Sequence, residues 1–285
     1  MKKIIILALM LIGVSAFSFP ALAEESKTTR TLDLSVEVGT DVVSSYLWRG
    51  QNIGGLSIQP YVSVAWKGLY LSGWASIGAD KWSFEELSPE LDITIGYDNY
   101  GVQLDLTHLY YFAGEPYFPK GGFKPEPLEE SSSTMEAHVG FHLGDLVESI
   151  PLSIDWYTTV YGADFFINEQ GEAERAWSTY IQVGYDFSLP LGLQLGTYVG
   201  ITPWKGYYSN YEEVWTNAKT VAINNINFRL SRDFEFKSFG LGLWGECMLN
   251  CYGVDKTNLT TELANKGEQR FNWGIGGSIY FSQEW

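Results

Sequence analysis

The chain closes on FNWGIGGSIYFSQEW, Phe271–Trp285, and the alternation in this stretch decides the fold. Odd positions carry Phe271, Trp273, Ile275, Ile279, Phe281 and Trp285, broken only by Gly277 and Gln283. Even positions carry Asn272, Gly274, Gly276, Ser278, Tyr280, Ser282 and Glu284. A strand sends successive side chains to opposite faces. This strand therefore has one aromatic-rich apolar face and one small, polar face. A soluble barrel would turn the apolar face inward, and a barrel in lipid turns it outward.

The other terminus favours lipid. Lys2 and Lys3 precede the apolar run IIILALMLIGVSAF, which leads to Ala21-Leu22-Ala23. A positive region, an apolar region and a small-x-small site are the parts of a secretory signal. The run is short for a membrane anchor. Cleavage is expected after Ala23, making 1–23 a signal peptide and 24–285 the mature domain. No linker divides that domain.

Composition narrows the class further. Aromatic residues make up 16 % of the chain, glycines number 30, and only 18 % of residues are charged. Mean hydropathy is −0.08. Outside the signal no apolar run is long enough to span a membrane as a helix. The formal net charge of −16 makes nucleic acid a poor partner. Cys247 and Cys251 are the only cysteines. At i, i+4 in one strand they would stand about 13 Å apart on the same face, too far for a disulfide unless the strand ends between them.

About twelve alternating segments can be traced, and their connections alternate between short and long. Lys67-Gly68, Asp98–Gly101, Gly144–Pro151, Ser188–Gly192 and Ser231–Ser238 are short. Arg49–Gly55, Ala79–Pro89, Ala113–Ser133, Gly162–Arg175, Pro203–Ala218 and Tyr252–Gln269 form the longer set. The expected fold is all-β: a transmembrane antiparallel up-and-down barrel of about twelve strands, with short periplasmic turns and long outer loops. Backbone groups in hydrocarbon must be paired, so the sheet must close. The first strand is expected to run on to Trp48, and a slip of phase at Asn224-Asn225 suggests a bulge. Two aromatic girdles are expected. Trp66, Tyr97, Phe187 and Phe281 would form the periplasmic one, and Tyr110, Phe112, Trp177, Phe271 and Trp273 the outer one.

Parity then assigns the pore-lining candidates: Asp92, Asp105, Glu136, His138, His142, Asp155, Arg229 and Glu246. Arg49 joins them, although its parity is open where strand meets loop. It either enters the pore mouth or braces the rim, and bracing is preferred. Trp48 beside it reads as a girdle or packing residue. Acids dominate the inner face. One reading is a wet interior whose charges pair. The other is a pore lined by negative charge that favours cations. His138 and His142 lie i, i+4 on one strand, about 13 Å apart, which argues against a shared metal. His108 falls on the lipid face near the outer rim, where a lipase would need a serine beside it. No His-x-Ser occurs, so no catalytic residue and no cofactor or metal is expected. Membrane lipid, lipopolysaccharide and small hydrophilic solutes are the expected partners.

Ser45-Tyr46-Leu47-Trp48-Arg49-Gly50 resembles a stretch found in this place in the TorF-type porins of Gram-negative bacteria. A strand such as Ile58–Val64 and a segment such as Gly73-Trp74-Ala75-Ser76 follow there in the same order. The likeness covers about the first fifty residues after the signal, and beyond Asp80 only architecture is shared. It implies an outer-membrane barrel with channel activity. The terminal Trp285 also looks like the C-terminal signal read by the outer-membrane assembly machinery.

Overall fold

A computed structural model describes residues 33–78, 89–111, 133–162, 164–167, 170–204, 206, 208, 221–237, 239–250 and 271–284. The segment expected to be a signal peptide, Cys251, Phe112, Trp285 and most of the long connections lie outside the described residues. In chain order the strands are β1 (Leu34–Val43), β2 (Tyr46–Trp48), β3 (Gln51–Gly54), β4 (Ser57–Trp66), β5 (Leu69–Gly78), β6 (Glu90–Asn99), β7 (Val102–Tyr111) and β8 (Ser133–His142). They continue with β9 (Leu152–Gly162), β10 (Phe165–Ile167), β11 (Ala173–Arg175), β12 (Thr179–Leu189), β13 (Leu193–Thr202), β14 (Ala222–Phe236), β15 (Phe239–Leu249) and β16 (Phe271–Glu284).

Twelve of these strands close into a barrel with ring order β1-β16-β15-β14-β13-β12-β9-β8-β7-β6-β5-β4. Every neighbouring pair is antiparallel, and β1 with β16 forms the seam, Ser35 facing Glu284 and Val43 facing Gly276. Closure leaves no strand edge unpaired. The short turns fall at one end, assigned to the periplasm by the sequence pattern, and the longer connections at the other, outer end. At the turn Lys67-Gly68 both residues have positive φ, 51° and 85°, which suits the right-handed twist of the flanking strands.

Side-chain direction follows the alternation. Ile95, Leu243, Phe271, Trp273 and Ile275 point outward and are each at least 60 % exposed. Water would oppose a continuous apolar belt of this kind, whereas hydrocarbon solvates it. The inward set is polar: Gln59, Ser72, Thr94, Gln103, His138, Asp155 and Asn227 are buried within the barrel. The fold is therefore that of a membrane-spanning barrel with a polar interior.

Three expectations need correction. The first strand ends at Val43, not Trp48. Ser44 accepts an amide from Ile275 on its Oγ at 3.0 Å and donates its own amide to the Ile275 carbonyl at 2.9 Å. The chain leaves the wall after this exchange, and β2 and β3 form a separate hairpin. Tyr110 is not a girdle residue: it is buried, as are its neighbours His108 and Leu109. Three consecutive buried residues mean that both faces of β7 are covered at its outer end, so His108 is not offered to lipid. The bulge at Asn224 is present, with Gly200 opposite Asn225 and Ile201 opposite Ile223. A second one leaves Val160 unpaired, with Met135 opposite Tyr161 and Glu136 opposite Thr159.

Ile275 lies between the outer girdle residue Phe271 and the periplasmic Phe281 on β16. Ile275→Arg should lower the stability of the refolded barrel by about 2–4 kcal/mol, the cost of a cation near the bilayer midplane. Denaturant titration in lipid vesicles measures this. A loss under about 0.5 kcal/mol, the range of ordinary surface substitutions, would contradict the outward assignment.

Candidate functional site

The β2–β3 hairpin does not stand above the barrel but crosses it. Its tip is the two-residue turn Arg49-Gly50, with Trp48 opposite Gln51. Both tip residues have positive φ, 45° and 88°, the condition of a tight hairpin turn. For Arg that conformation is strained. For Gly50 it is free, and the space demands glycine as well, because a Cβ there would run into the Asn224 carbonyl.

The hairpin is anchored along its length. Tyr46 packs on Trp74 with ring centroids 5.5 Å apart, within a cluster completed by Tyr61 and Tyr280. Leu47 reaches over Gly274, where an added Cβ would stand 3.6 Å from its Cδ1. The Gly50 amide donates to Met248 Sδ at 3.1 Å, and Asn250 Nδ2 donates to the Gly50 carbonyl at 3.2 Å.

Arg49 makes the decisive contacts. Its Nη1 and Nη2 donate to the two carboxylate oxygens of Glu136 at 2.5 and 2.7 Å. Nη1 also donates to the Tyr208 hydroxyl at 2.6 Å, and that hydroxyl in turn donates to Glu136. The guanidinium carbon lies 3.8 Å from the ring centroid of Tyr157, 4.8 Å from Trp48 and 5.1 Å from both Tyr180 and Tyr208. In the ring of twelve strands β9 stands six places from β1 in either direction. The hairpin that leaves β1 thus spans the lumen and docks on the opposite wall. Arg49 is neither a rim brace nor a free pore-lining cation. Its side chain is 11 % exposed and that of Glu136 8 %.

A second polar cluster lies below it. The His138 ring stacks on Tyr157 at 4.1 Å and 7°. His138 Nδ1 lies 2.7 Å from Asp105 Oδ2, and His138 Nε2 lies 3.1 Å from Asp155 Oδ1. His142 Nε2 reaches the same Asp155 oxygen at 3.0 Å. A carboxylate oxygen thus faces each ring nitrogen of His138. Tyr70 donates to Asp105 at 2.8 Å, and Gln103 donates to the Tyr70 hydroxyl at 3.0 Å and to Asp105 at 3.1 Å. The two histidines thus converge on one oxygen despite their separation along the strand. The residue between them on that face is Gly140, where a Cβ would stand 2.9 Å from Asp155 Oδ1. Its missing side chain is the space they use. Among the described residues no group of three or more His, Cys, Asp or Glu is placed to hold a metal ion.

The remaining candidates are also inside. Arg229 Nη1 lies 3.4 Å from Glu246 Oε2, and its guanidinium sits 4.3 Å from the Trp244 ring. Asp92 faces Trp74 on one side and Leu109 on the other. Asp105, Glu136, Asp155 and Glu246 each have a cationic or histidine partner, so these acids follow the paired-interior reading. Toward the periplasmic end the inward residues Asp186, Gln194, Asp233 and Glu235 are exposed. There the lumen is an open vestibule. At the outer end Tyr180, Asn224 and Met248 are at most 1 % exposed, and the barrel is filled. Trp48, Tyr180 and Tyr208 were not among the candidates. The inward parity of Tyr157 and Tyr180 was readable in the sequence; their meeting with Arg49 was not.

A closed barrel with a lipid-facing belt and a polar interior crossed by a docked hairpin defines an outer-membrane β-barrel protein. No protein-family model and no curated protein matches the chain. Among solved structures it is similar to the NanC porin, with 10 % identity over 87 % of this chain and 98 % of that one and a TM-score of 0.44. The KdgM porin gives 8 % identity, the same coverages and a TM-score of 0.40. An outer membrane channel from Pseudomonas putida F1 gives 13 % identity over 94 % of this chain and 100 % of that one, with a TM-score of 0.40.

Breaking a buried ion pair from one side costs about 3–5 kcal/mol, because the remaining charge loses its partner. Arg49→Ala and Glu136→Ala should each destabilise the folded barrel, and the double variant should lose much less than their sum. A coupling energy of at least about 1.5 kcal/mol is expected for a close pair. Additive losses in a denaturant-based double-mutant cycle would mean that the hairpin docks elsewhere.

Proposed function

We propose that the chain is an outer-membrane channel for small hydrophilic solutes, closed near its outer end by the β2–β3 hairpin and carrying a modest cation preference. One observation carries this reading. The inward residues grade from exposed at the periplasmic end to buried and ion-paired beneath the hairpin, and the outer end is closed where the hairpin and Tyr208 dock on Glu136. The likeness of Ser45–Gly50 and Gly73–Ser76 to TorF-type porins belongs with it. His108, the residue weighed for lipid cleavage, is buried. Selectivity in this reading comes from the vestibule. Asp105, Glu136, Asp155 and Glu246 are paired, so the exposed vestibule acids Asp186, Asp233 and Glu235 supply the field. Fixed negative charge at a pore mouth concentrates cations and repels anions.

A second reading is a non-conducting barrel with a scaffold, adhesion or envelope-integrity role. The observation in its favour is the depth at which Arg49 docks. Planar-bilayer recordings separate the two. The wild-type protein should conduct weakly, and Arg49→Ala and Gly50→Ala should each raise the open conductance severalfold. Folded, heat-modifiable variants that stay silent would favour the scaffold.

In a potassium chloride gradient the reversal potential should show a preference for potassium. That preference should weaken as the Debye length falls from about 10 Å at 0.1 M to about 3 Å at 1 M. Replacing Asp186, Asp233 and Glu235 by the amides should reduce it. Anion preference in the wild type would refute the assignment.

A further inference from the structure

The surroundings of Arg49 exceed what a brace requires. One carboxylate would hold one guanidinium. Here the group is also faced by Tyr157 from β9 and Tyr180 from β12, with Tyr208 over its edge. Both oxygens of Glu136 match its fork. Planar, weakly hydrated guanidinium groups are suited to this pairing of aromatic faces with a bidentate carboxylate, and ammonium groups less so.

The wall side of this pocket is held without help from the hairpin. The Tyr157 ring is stacked on His138. The Tyr180 hydroxyl accepts from Asn225 Nδ2 at 2.9 Å and donates to Gln182 at 3.0 Å. The Tyr208 backbone carbonyl accepts from Asn224 Nδ2 at 3.1 Å. Only Trp48 and Arg49 arrive with the hairpin, and Arg49 does so in a strained conformation. Withdrawal of the hairpin would leave Glu136, Tyr157 and Tyr180 on the barrel wall as a preorganised acceptor.

We propose that the pocket of Glu136, Tyr157, Tyr180 and Tyr208 is a recognition site for guanidinium-bearing solutes, and that Arg49 is its resident occupant in the closed barrel. A solute carrying that group competes with Arg49 for the same carboxylate and rings. Its binding releases the hairpin tip and opens the lumen above the vestibule. The binding claim stands on the pocket alone; the opening claim rests on the channel reading above.

The binding test uses the full-length barrel with Arg49→Ala, folded in detergent and checked by heat-modifiable migration. Methylguanidinium is titrated against methylammonium, with affinity read by calorimetry and by tyrosine and tryptophan fluorescence. The Arg49→Ala barrel should bind methylguanidinium about tenfold more tightly than methylammonium, since the fork and planar stacking are absent in the latter. Adding Glu136→Gln should abolish the difference. The wild-type barrel should bind methylguanidinium more weakly than the variant, because tethered Arg49 competes at high effective concentration. Should Arg49→Ala fail to fold, Arg49→Gln, which keeps a polar stem at the tip, takes its place in the same titration. Equal affinity for the two cations, no binding by a folded variant, or discrimination that survives Glu136→Gln would overturn the site. Methylguanidinium should also raise wild-type conductance. Binding with unchanged current would keep the site and overturn its part in opening. A barrel that never conducts yet passes the titration would fail the channel reading while supporting the site.

Discussion

The arrangement of the outer lumen depends on the ion pair between Arg49 and Glu136. Removing either charge from water is costly, and the mutual attraction offsets that cost only with good geometry and further hydrogen bonds. Both conditions hold. The fork is matched on two oxygens, Tyr208 adds a hydroxyl that touches both partners, and tyrosine rings cover the guanidinium. The bulge at Val160 falls beside Glu136, and the one at Asn224 falls beneath Gly50. Bulges re-aim side chains and bend strands, and here both lie where the hairpin tip meets the wall.

The same contact changes the electrostatics of the interior. A list of inward acids suggests a strongly negative pore. The structure places a positive or histidine partner on several of them, at Glu136, Asp105, Asp155 and Glu246. What remains unpaired and wet is concentrated toward the periplasmic vestibule. The two ends of the lumen therefore differ in kind: one is ion-paired, aromatic and nearly dry, the other acidic and open.

How much of this was legible in the sequence follows from the range of the forces involved. The barrel was legible, because strand direction is a local property with a period of two, and every outward Ile, Leu, Phe or Trp repeats the signal. The bulge at Asn224 was legible for the same reason, as a break in that period. The hairpin was not. Tyr46 and Trp48 continue the strand-like alternation of β1, yet the chain leaves the wall just after Ser44 pairs with Ile275 at the far end of the chain. The docking of Arg49 carries the hairpin tip to β8, β9 and β12, which the closed ring places across the lumen from β1. The convergence of His138 and His142 on Asp155 was not legible, because Cα spacing bears on a shared metal and not on a shared partner from the next strand. The missing side chain at Gly140 and the lean of both rings were the deciding facts.

The hairpin leaves β1 and returns to β4, and β1 is also half of the seam with β16. Its anchors include Ile275 and Gly274 of β16 together with Met248 and Asn250, near the end of the chain. None of these exists as a surface until the last strand has joined the first. Such contacts between distant parts of the chain form late. Closing the wall and preparing the seat of the hairpin are therefore the same event in the geometry: the strand that completes the ring also completes the surface that receives the tip.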